Sequence, residues 1–140
     1  MSYEITCERR PDYLVFRVTG ENTAENVQAY LSDILALCRE HDCFRILVHE
    51  CLEGRRLKVD DVFDIASEGA MKALGVFQAI AYVDERMGDM SYFMETVAIN
   101  RGMPIKAFRT VAHAEHWLEH ELEGTGEHEI FLPDESGDRR

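Results

Sequence analysis

The chain has 140 residues, 46% of them hydrophobic and 30% charged, enough to bury one core without disulfide or metal staples and far from the compositions that stay unfolded. Acidic residues outnumber basic ones 27 to 15 and no Lys/Arg-rich run breaks that balance locally, so nucleic acid and anionic membrane surfaces are poor partners. No apolar run approaches the roughly 20 residues a membrane span needs and no signal pattern opens the chain, so a cytoplasmic protein without membrane insertion is expected.

In chain order, Tyr3, Ile5 and Cys7 alternate with polar residues, Arg9-Arg10-Pro11-Asp12 offers a turn, and Tyr13 to Val18 resumes with aromatic and β-branched residues. That pattern predicts an N-terminal β-hairpin. Thr23 then caps a helix in which Val27, Tyr30, Leu31, Ile34, Leu35 and Cys38 recur at helical spacing. Phe44 to His49 is a short apolar run, as expected of a strand buried on both faces at the centre of a sheet. Glu50 to Lys58 reads as a polar loop, followed by a second helical stripe of Val59, Val62, Phe63, Ala66 and Ala70 with Asp60 and Asp61 near its positive end.

Val76 to Val83 predicts another buried strand. Met90, Phe93, Met94, Val97 and Ala98 predict a third helix, closed by Gly102 with Pro104 just beyond. Ile105 to Phe108 reads as a strand, and Thr110 caps a fourth helix carrying Val111, Ala114, Trp117 and Leu118. Ile130 to Leu132 reads as a late edge strand. Residues 1–133 are thus expected to form one domain and 134–140 a disordered tail. The order implies an α/β fold with right-handed crossovers and a mixed, mostly parallel sheet, its antiparallel edge formed by the hairpin, with about four helices.

The strings DYLVFRVTG, FRILVHECLEG, AIAYVDER, MPIKAFRT and AEHWL, taken in this order of elements, resemble the SpoIIAA-like branch of the STAS domains (sulfate transporters and anti-sigma factor antagonists) from about Tyr3 to Leu118. The resemblance implies a three-layer fold and a regulatory or ligand-binding role. In well-known members a serine or threonine at the start of the helix after the central strand is phosphorylated and releases a protein partner. The matching stretch here, Glu50 to Asp61, holds neither residue, so that phosphoswitch is not carried over. The similarity points to the family's stand-alone small domains, whose layout is like that of lipid-carrying domains and makes an apolar ligand conceivable.

Three constellations invite chemistry. His116-Trp117-Leu118-Glu119-His120 fits the H-x-x-E-H pattern of inverted zinc peptidases, with His113 extending the flank, but zinc needs a third protein ligand and Trp117 and Leu118 look like core contacts. His49, Glu50 and Cys51 lie after the central strand with Arg55, Arg56 and Lys58, a local concentration of positive charge that could attract an anionic group. A reactive Cys51 lacks activating geometry, since adjacent residues of an extended segment point apart. Cys7, Cys38, Cys43 and Cys51 read as reduced thiols, Cys7 and Cys38 on apolar faces. Met87, Met90, Met94 and Met103 with Tyr92 and Phe93 suggest an adaptable apolar pocket, rimmed by Asp84, Glu85 and Arg86.

With no glycine-rich phosphate loop, no G-x-S-x-G elbow and no paired-cysteine site, no catalytic residue, metal ligand or cofactor is assigned. The expected site comprises Glu50, Cys51, Arg55, Arg56, Asp84, Arg86, Met90, Tyr92, Phe93 and Met94. It belongs to a non-catalytic module binding a small apolar, lipid-like or anionic ligand. The alternative is a docking or homodimerisation domain, and a zinc hydrolase or thiol enzyme is the least supported reading.

Overall fold

A computed structural model describes residues 2–123. They form a five-stranded sheet in the order β1-β2-β3-β4-β5. The strands are β1 (Tyr3–Arg9), β2 (Leu14–Glu21), β3 (Arg45–Glu53), β4 (Ala79–Val83) and β5 (Ile105–Phe108), and the helices are α1 (Ala24–His41), α2 (Val59–Lys72), α3 (Asp89–Asn100) and α4 (Val111–Glu123). β1 pairs antiparallel with β2, and every later neighbour is parallel. This is the mixed, hairpin-edged α/β sheet that the sequence pattern predicts. None of the helices among the described residues is long and apolar enough to cross a membrane. The expected strand at Ile130 to Leu132 and the expected tail lie outside the described residues.

Strand order follows chain order, so each parallel step moves in the same direction across the sheet. Repeating one hand of crossover in one direction lays successive helices on one face. Leu14, Phe16 and Val18 of β2, Ile46, Val48 and Leu52 of β3 and Ile80 of β4 accordingly form one core with Val27, Tyr30, Ile34 and Cys38 of α1 and Ile65 of α2. The alternate residues point the other way. Leu47, Ala79, Ala81 and Val83 make a second core with Tyr13 and with Ala114 and Leu118 of α4. The result is three layers.

Local chemistry fits each element. Thr23 accepts the Asn26 N–H at 3.1 Å and starts α1, while Asp42 in the left-handed region (φ 52°) ends it. Gly20 has φ 134°, and a Cβ there would lie 2.8 Å from the Tyr3 Cα, so the hairpin edge requires glycine. The Thr110 hydroxyl accepts the His113 N–H, as expected of a cap for α4. Buried Arg45 donates to the Leu118 carbonyl in the last turns of α4, where the helix dipole favours a cation.

Two boundaries differ from the sequence reading. β3 runs to Glu53, because Val18 to Glu21 of β2 continue to pair with Glu50 to Glu53; Glu50 and Cys51 are therefore strand residues rather than loop residues. β4 begins at Ala79, and Val76 to Gln78 lead into it. Cys7 also departs from its expected apolar setting, being exposed on the edge strand, whereas Cys38 is fully buried.

Candidate functional site

A cavity of about 230 Å³ lies between the sheet and helices α1 to α3. Its floor comes from Ile46, Val48, Ile80 and Ile105, and its roof includes Ile34, Ile65, Ala66, Met94 and Ala98, with Phe77 and Met103 from the connecting segments. Period-two alternation brings Glu50 onto this face two residues beyond Val48. One carboxyl thus joins the isoleucines and valine of the cavity's sheet floor.

Both oxygens of that carboxyl are engaged. Tyr82 of β4 donates its hydroxyl to Oε1 at 2.7 Å, and Tyr30 of α1 donates to Oε2. Burial pushes the Glu50 carboxyl above its ordinary value, the two phenol hydrogen bonds act in the opposite direction, and nearby Asp84 adds to the rise while Arg56 opposes it. The two phenols are held well above their ordinary range, first by burial and then by the neighbouring Glu50 charge.

A second polar cluster braces the loops at the ends of β3 and β4. Asp84 is buried and accepts from Arg56 Nη1 at 3.1 Å, from Ser91 Oγ at 3.1 Å and from the Arg86 backbone N–H at 2.9 Å. Arg86 donates to the carbonyls of Leu52 at 3.0 Å and Gly54 at 3.2 Å. Such a satisfied network locks loops in place. Asp84, expected as a polar rim residue, is buried and acts as an internal brace.

Of the expected site residues, Glu50, Arg56, Met90 and Met94 line the cavity. Asp84 and Arg86 support its polar end through the contacts above. Arg55 is exposed, and its carbonyl accepts from Asn22 Nδ2 at 2.9 Å. Tyr92 is exposed on α3 and Phe93 half-buried, and neither lines the cavity. Cys51 faces the opposite side of the sheet from Glu50, half-buried, with Sγ 3.9 Å from the His49 carbonyl. Burial pushes its thiol up, the wrong direction for a nucleophile.

The sequence reading omitted Tyr30 and Tyr82, which the structure brings together on Glu50. Their signal was present: a tyrosine inside an apolar helical stripe and another inside a buried strand each need a partner for a hydroxyl. What could not be read was that both partners are the same carboxyl.

The histidine flank of α4 stays exposed. His116 and His120 stack with ring centroids 3.8 Å apart, and His120 Nδ1 lies 2.9 Å from the His116 carbonyl. Among the described residues no group of three His, Cys, Asp or Glu side chains could hold a metal ion. His49 meets Glu85 at 3.2 Å. Burial, with Cys43 and Cys7 nearby, pushes the Cys38 thiol up to about 12.

Neither a protein-family model nor any curated protein matches this chain.

Proposed function

We propose that this chain is a non-catalytic ligand-binding module of STAS type that takes one small, largely apolar molecule between its sheet and helices α1 to α3. The observation that carries this reading is the cavity of about 230 Å³, mainly apolar between sheet and helices, with a carboxyl fixed by two tyrosines at one end. A chamber of that character grips a molecule by its hydrocarbon part and orients it by its polar part. Size narrows the ligand. Roughly 150 Å³ suffices for benzene and drug-sized sites run to roughly 300–1,000 Å³, so a single ring or short chain fits and a two-chain lipid does not.

Nuclear magnetic resonance tests this directly with single-ring and short-chain compounds titrated into the full chain. Saturable shifts at the methyl groups of Ile46, Val48, Ile65 and Ile80, with Leu118 on the opposite face unmoved, are expected. Unmoved cavity methyls across the whole panel would sink the reading.

A second reading has its own observation. Val59, Phe63 and Met71 of α2, Leu74 after it, and Tyr92 and Ile99 of α3 are all exposed, Met71 by 78%. Apolar groups gathered on a helix pair suit docking or homodimerisation. Sedimentation across a wide concentration range separates the dimer version: a mass of one chain throughout rejects it.

A further inference from the structure

At the polar end of the cavity Glu50 can accept further hydrogen bonds. Glu50 Oε1 and Oε2 each accept one phenol hydrogen bond, and an ionised carboxylate offers about four lone-pair sites, so about two stay open. The nearby guanidinium groups have recorded partners other than Glu50. Arg56 is held by Asp84, and Arg86 by the carbonyls of Leu52 and Gly54. Among the described residues Glu50 has no ion-pair partner.

Charge in the lining leads to the same place. Arg56 is paired with Asp84, and Glu68 and Lys72 lie one turn apart on the exposed side of α2. Glu50 is buried without an ion pair among the described residues, and a buried carboxylate lacking one is costly. An acid would add a second anion. An alcohol would supply a donor without countercharge, whereas an ammonium group supplies both. The aromatic rings of Tyr30, Phe77 and Tyr82 in the lining suit a cation further.

Resting on the ligand-binding reading above, we infer that the cavity selects a small apolar amine, a single-ring or short-chain ammonium compound with its charged nitrogen at Glu50 and its hydrocarbon part against Ile46, Val48, Ile65 and Ile80. The occupant thereby completes the carboxylate's hydrogen bonds and cancels its charge. Burial of Glu50 raises its affinity for a proton, and a bound ammonium replaces that proton as the countercharge.

The test is a calorimetric series on the full chain at neutral pH with three near-isosteric probes: phenethylamine, phenethyl alcohol and phenylacetate. The amine is expected to bind about tenfold tighter than the alcohol, the size of one charge-assisted hydrogen bond, with phenylacetate weakest. Glu50→Gln should bring the amine down to the alcohol's affinity while leaving the alcohol within about twofold. Circular dichroism checks that the variant folds. Should it not, the ranking of the three probes on the unaltered chain and the carbon-13 shift of the Glu50 carboxyl on adding amine decide instead. Alcohol or acid binding as tightly as the amine overturns the amine assignment and leaves the cavity reading standing; no binding by any of the three overturns both.

Discussion

The two faces of the sheet are built to different ends. Beneath α4, small residues meet: Ala79 and Ala81 of β4 lie against Ala114 and Leu118, all almost without exposure. Alanine lets a helix come close to a sheet and pack against it. Beneath α1 to α3 the sheet presents larger side chains, three helices must share one surface, and the space between them holds the cavity and Glu50. One face holds the fold together. The other gives up close packing for a chamber, and the carboxyl of Glu50 on its sheet side is wired to two tyrosines.

Substitutions can break or sharpen this contrast. The largest effect is expected from Leu118→Ala, which empties a fully buried position under α4 and should cost about 2–5 kcal/mol in denaturant unfolding. Next is Ala81→Leu. Forcing a large side chain into the close-packed face should cost about 1–3 kcal/mol, and an unchanged midpoint would refute the tight packing. The matching change on the other face, Ala98→Leu, projects into the cavity and should instead stabilise by about 0.5–2 kcal/mol while abolishing ligand-induced methyl shifts. If both leucines destabilise alike, the faces do not differ as described.

The smallest effect concerns Glu50→Gln and appears as a slope. Because burial raises the folded-state pKa of Glu50 above its ordinary value, its stabilising contribution is fully present below that ordinary value and is lost as pH rises through the folded one. Glutamine does not titrate. The melting temperature of the variant should therefore gain on that of the unaltered chain as pH rises from the acid range toward neutrality, and parallel curves would show that Glu50 is not buried as an acid.

Much of the fold was legible because it is written in local periodicity. The alternation in Tyr3 to Cys7, the stripe from Val27 to Cys38 and the apolar runs around Leu47 and Ala81 each report the period of their own backbone, and caps such as Thr23 mark the ends. Boundaries were harder. Glu50 to Glu53 look like loop residues, yet pairing with Val18 to Glu21 keeps them in β3, since ladder hydrogen bonds depend on a neighbour far away in the chain. The site followed the same division. Met90, Met94, Arg56 and Glu50 were singled out by type and position, whereas Cys51, adjacent to Glu50, turned out to face the opposite layer once the strand continued.

By itself, then, the order of residues determined which segments are helix or strand, that they alternate, and that the middle strands are buried, because those properties follow from side-chain spacing along a single segment. Only the tertiary structure decided that Tyr30, Glu50 and Tyr82, drawn from three separate elements, converge on one cavity and that Asp84 braces the loops beside it. Convergence depends on strand order, on register and on which face each helix covers, and these arise from the packing of distant segments rather than from any local pattern.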